Sequence, residues 1–176
     1  MDKEVMMRIA KFPQAEPDAD VWFREITRED RARVGGPALR TFRGIADAWS
    51  LSERERIAVL GEPGRSTYHQ WMRKAQAREP VTLPLDTLLR LSGVFGVWKA
   101  LAILFEDGNQ GLAWLRGAHR GTVFNGASPM TFITEGALDG ILTVRRYLDA
   151  WRGGEAGQGA PEGSFEPVTE ADVIFV

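Results

Sequence analysis

Apolar side chains recur at helical spacing along most of this chain, and Pro or Gly marks most of the gaps between those stretches. Leu39, Phe42, Ile45, Ala46 and Trp49 share one face of a helix. Pro37 suits its first turn, and it should stop near Ser50. Ser52 followed by Glu55 is a capping box, opening a second helix with Ile57, Ala58 and Leu60 inward and Gly61 at its end. Pro63-Gly64 is a turn signal, and Ser66 or Thr67 can cap a third helix. On that helix Tyr68, Trp71, Met72 and Ala75 fall at i, i+3, i+4 and i+7, one buried stripe. Pro80 and Pro84 break the chain again. A long apolar helix is expected over 85–105, shorter ones over 110–115 and 130–135, and a last one over 137–151. Leu138, Ile141, Leu142, Leu148 and Trp151 form the inward set of that last helix. No run of alternating apolar residues precedes residue 164, so the expected fold is all-α.

The ends read differently. Residues 1–36 form an arm with one helical stretch over 20–34, where Val21, Trp22, Phe23 and Ile26 offer a modest apolar face. Residues 153–163 are a Gly-rich linker, and the chain closes on Val173-Ile-Phe-Val176. Net charge is −2, yet residues 155–176 hold five acids and no Lys or Arg, which leaves the remainder at +3. Within that remainder, Arg65, Arg73, Lys74 and Arg78 share a stretch without acids. An acidic tail thus masks a basic element. Early charges at Asp2, Lys3 and Glu4 argue against a secretory signal. The longest apolar stretch, 91–105, falls short of the about 20 residues a membrane span needs. With no cysteine, disulfides and thiolate sites are excluded. A soluble, cytoplasmic chain is expected.

The second and third helices, joined by Glu62-Pro-Gly-Arg65, have the layout of a helix-turn-helix, whose second helix enters the major groove of DNA. With the stripe of Tyr68, Trp71 and Met72 buried, Thr67, His69, Gln70, Arg73 and Lys74 face outward. Arg65, Ser66 and the helix N-terminal amides suit phosphate. Gln70 can read adenine, and Arg73 can read guanine or bind phosphate. A plain helix pair with a solvated basic face shows the same pattern.

Enzyme readings find little to stand on. His69 and His119 are the only histidines, and neither sits in a triad-like pattern. Two separated histidines without cysteine do not make a structural zinc site. The glycine-rich stretch 153–159 lacks the strand and the Lys-Ser/Thr of a phosphate cradle. No cofactor is expected.

From about residue 39 to Gly154 the chain resembles the Xre/MbcA/ParS-type antitoxins of toxin–antitoxin systems. Gly64-Arg-Ser-Thr-Tyr-His-Gln-Trp-Met-Arg73 is similar to their recognition helix. Further along, Leu101-Ala-Ile-Leu-Phe-Glu-Asp107, Ala113-Trp-Leu-Arg116, Phe124-Asn-Gly-Ala-Ser-Pro-Met130, Glu135-Gly-Ala-Leu-Asp-Gly-Ile-Leu142 and Arg145-Arg-Tyr-Leu-Asp-Ala-Trp-Arg-Gly-Gly154 are similar to their toxin-binding domain. The resemblance implies a helix-turn-helix domain over 37–105 and a small helical toxin-binding domain over 106–154. The arm of 1–36 and the tail of 155–176 lie outside that core. It also implies a homodimer that represses its own promoter at operator DNA and neutralises a cognate toxin. A RES-type toxin that degrades NAD is the expected partner, with NAD the toxin's substrate. DNA contact is then expected from Arg65, Ser66, Thr67, His69, Gln70, Arg73 and Lys74. Toxin contact is expected from Arg145, Arg146, Asp149, Trp151 and Arg152. The rival reading is a stand-alone transcription regulator whose C-terminal half dimerises or senses a ligand. Co-purification with a neighbouring toxin separates the two, and substrate turnover by the isolated chain would favour an enzyme instead.

Overall fold

Thr27 sets the first helix. Its hydroxyl accepts from the Asp30 amide at 3.1 Å, while the Asp30 carboxylate accepts from the Thr27 amide at 3.3 Å. Such a reciprocal cap satisfies two of the amides a helix start leaves free. The computed structural model describes residues 26–153. Most of the apolar face expected in the N-terminal arm, the linker beyond Gly153 and the acidic tail lie outside the described residues.

Helix α1 runs Arg28–Ala48 without interruption, with Pro37 in its interior. This corrects the expectation of an arm helix ending at 34 and a new helix opening at Pro37. Proline inside a helix removes one hydrogen bond and crowds the carbonyl four residues back. Tertiary packing outweighs that penalty here. The segment leading into the fourth helix presses so closely on α1 that a Cβ on Gly35 would lie 2.0 Å from the Val81 carbonyl oxygen. Arg31 adds a hydrogen bond to the Leu83 carbonyl at 3.4 Å.

The remaining helices are α2 (Glu53–Val59), α3 (Arg65–Gln76), α4 (Leu85–Leu104), α5 (Gly108–Arg116), α6 (Pro129–Glu135) and α7 (Ala137–Arg152). Among the described residues there is no strand. The all-α reading holds. Ser66 and Thr67 do not cap α3, because Gly64 of the turn takes that position without a side-chain bond. Val59 and Val144, absent from the expected inward sets, are fully buried, whereas Ile57 and Leu138 are only partly covered.

Helix α4 is the pillar of the fold. It packs along α7 and also touches α1 and α5. By length and composition alone its 20 residues could cross a membrane, a longer window than the 91–105 stretch read from the sequence. Its Leu91, Val94, Val97, Ala100 and Leu101 are nevertheless spent on the protein's own core. Gly93 lets α7 come close, since a Cβ there would stand 2.6 Å from Ile141 Cγ2. Burial of such side chains contributes about 1.5–3 kcal/mol each.

The two halves are joined by more than α4. Helix α2 packs on α6 and α7. The Arg116 guanidinium at the end of α5 donates to the carbonyls of Trp49 (2.7 Å) and Ser50 (3.3 Å). Ser50 takes a left-handed φ of 53° as the chain turns from α1 into α2. Charged donors on otherwise open helix-end carbonyls contribute about 1.5–3 kcal/mol. Replacing Arg116 with Met should therefore lower unfolding free energy by about 2 kcal/mol in urea titration. An unchanged midpoint would show the corner holds itself.

Candidate functional site

The α2–turn–α3 unit is built from local chemistry. Ser52 caps α2, its hydroxyl and amide both donating to Glu55 Oε2 at 2.7 Å, and accepts from the Glu55 amide at 3.3 Å. The Ser52 hydroxyl bond, with the Arg116 charge a lesser influence, holds the Glu55 carboxyl below its ordinary range. The cap is accordingly strongest above that range and weakens as pH falls through the lowered value. Gly61 and Glu62, with φ of 90° and 56°, then reverse the chain ahead of Pro63.

Helix α3 buries Tyr68 and Ala75 and half-buries Trp71 and Met72, as the stripe predicts. It leans on α1 and approaches the backbone of α2 little. The Arg40 guanidinium from α1 donates to the Ala75 carbonyl at 2.9 Å, fixing the C-terminal end. Arg65, Ser66, His69, Gln70 and Arg73 are exposed, while Thr67 and Lys74 are half-buried. The first turn of α3 holds no acid and no side-chain cap. One residue absent from the expectation joins this face. Glu53 on α2 pairs with Arg65 Nε at 2.7 Å and lies 3.4 Å from His69 Nε2.

The second region spans α5 to α7. Trp114 sits at the centre of a ring cluster, stacked on Tyr147 with centroids 5.8 Å apart and flanked by Phe124, Trp151 and Phe105. His119 serves structure here. Its Nε2 lies 2.8 Å from the Trp114 carbonyl, and its backbone exchanges bonds with Ala127 and Gly126 across the loop before α6. Burial pushes the Tyr147 hydroxyl above its ordinary pKa. Ser128 caps α6 through the Thr131 amide at 3.2 Å with Pro129 in the first turn, as read from the sequence.

On α7, Asp149 lies between Arg145 (3.6 Å) and Arg152 (3.5 Å), and Arg146 reaches Asp139 at 3.1 Å. Trp151 is half-buried, edge-on to Phe105 at 5.7 Å. Arg145, Asp149 and Arg152 thus form one ion-paired row, Arg146 turns back to Asp139 in the first turn of the helix, and of the five only Trp151 joins the ring cluster. Sequence reading found Trp151 but missed Trp114 and Tyr147 as its partners, since each looks like an apolar member of its own helix.

Residues 100–154 match the family described as the antitoxin Xre/MbcA/ParS C-terminal toxin-binding domain. The chain is 45% identical over 126 residues to "Uncharacterized protein y4oB" of Sinorhizobium fredii (strain NBRC 101917 / NGR234), covering 71% of this chain and 91% of that protein. No solved structure matches. The ring cluster and the whole of α5 to α7 fall inside the matched region, and on this ground the chain belongs to the Xre/MbcA/ParS antitoxin family.

Proposed function

We propose that this antitoxin neutralises a cognate toxin through its C-terminal half and represses their shared promoter through α2, the turn and α3, as a homodimer on operator DNA in the cytoplasm. The match of 100–154 to a toxin-binding domain is the observation that carries the first part. An uncapped helix start and a largely exposed cationic face on α3 support the second. In this reading 37–105 serves DNA and 106–154 serves toxin, although both draw on one core. Arg145, Arg146, Asp149, Trp151 and Arg152 form the toxin contact, with Trp and Arg suited to anchor an interface. The toxin is of RES type and consumes NAD; the antitoxin acts by binding, without turnover of its own.

Co-expression with the adjacent gene tests the whole proposal. Growth rescue, restored cellular NAD and a stable complex are expected, and failure of both rescue and complex formation overturns it. The two roles should also separate. Changing Gln70 and Arg73 together to Ala should weaken operator binding by at least about 30-fold, since each bidentate base contact is worth about 1–3 kcal/mol and two are lost. Rescue should persist. Equal loss of both functions would refute the division of labour.

A further inference from the structure

Both carboxylate oxygens of Glu53 point at α3. Oε1 takes Arg65 at 2.7 Å, and Oε2 lies 3.4 Å from His69. Arg65 and His69 are four residues apart and so stand one above the other on the same edge of α3. That edge belongs to the N-terminal turns, where phosphate contacts of such a helix are made. An acid from α2 therefore occupies the groups that the DNA backbone would use.

We propose that Glu53 is an electrostatic guard which withholds Arg65 and His69 from phosphate and so holds down sequence-independent DNA binding. The proposal rests on the DNA-binding reading of α3. The pair is exposed, with Arg65 77% and Glu53 41% accessible, and exposed pairs are weak enough to open. Random DNA must displace Arg65 from Glu53 and accept a carboxylate facing its own charge. A true operator also gains the base contacts of Gln70 and Arg73, which Glu53 does not touch among its described ion pairs. The penalty falls on both kinds of DNA, and only the operator has base contacts to offset it. Glu53 acts through Arg65 and is thus a positioning residue, fixing where a guanidinium is spent.

The test uses the full chain, a short random-sequence duplex and fluorescence anisotropy across a salt series. Glu53→Gln keeps the length and a hydrogen-bond acceptor for Arg65 while removing the charge, and its melting transition checks folding. Freeing one phosphate contact steepens the slope of log K against log salt by about 0.9 and tightens binding about three- to tenfold near 0.1 M salt. Adding Arg65→Ala to Glu53→Gln should reverse both changes, which a general loosening of the helix pair would not do. Unchanged or weaker binding with the same slope overturns the guard while wild-type binding keeps the DNA reading intact. If neither protein binds the duplex at about 50 mM salt, the DNA reading fails and the guard falls with it.

Discussion

Gly140→Ala is expected to lower unfolding free energy by about 3 kcal/mol, because backbone stands where the new methyl must go. A Cβ at this position would lie 2.1 Å from the Phe132 carbonyl oxygen and 3.0 Å from its carbon. Gly140 is in the first turns of α7 and Phe132 is in α6, so relief requires the two helices to part. Overpacking a close-packed site costs about 1–3 kcal/mol, and a rigid backbone on both sides leaves little room for adjustment. Gly93→Ala offers the control. There the nearest atom is the Ile141 Cγ2 methyl at 2.6 Å, a side-chain atom able to rotate, and about 1 kcal/mol is expected. Calorimetry should show a drop of about 10 °C for Gly140→Ala at a few degrees per kcal/mol. A melting temperature equal to wild type would mean that α6 and α7 separate freely.

Phe124→Ala should be as damaging by the opposite route, leaving a cavity. Phe124 is 2% exposed. Its ring meets Tyr147 at 4.9 Å, Phe132 at 5.3 Å and Trp114 at 6.0 Å, mostly edge to face. Truncating a buried Phe costs about 3–5 kcal/mol, and aromatic pairs in this geometry add about 0.5–1.5 kcal/mol beyond area. Denaturant titration should show the midpoint falling with the slope unchanged. Toxin capture should weaken in parallel, because the ring cluster lies inside the toxin-binding region. A loss below about 1 kcal/mol would show that the neighbouring rings collapse into the space.

What the sequence revealed and what it hid divide along a physical line. Ser52 with Glu55, Ser128 with Pro129, and the stripe from Tyr68 to Ala75 are local, with causes lying within one or two turns. They were legible as chemistry and recur in the structure. Pro37 misled because its local preference for a first turn is outweighed by the segment at Val81 and Leu83 lying against α1. Arg116 reaching Trp49 across 67 residues, and Glu53 reaching over a turn to Arg65, depend on folding itself. The exposed face of α3 was predicted from period alone, but its guard came from a neighbouring helix that periodicity cannot see.

The family's toxin-binding region begins at residue 100, and α4 spans Leu85–Leu104. A graft cut at that boundary would sever a helix and strip α7 of the notch at Gly93 that receives Ile141. Exchanging partner preference between two such antitoxins therefore requires transplanting α4 whole. The first half must then be redesigned where α1 meets it, so a swap of toxin-binding halves carries part of the N-terminal scaffold with it.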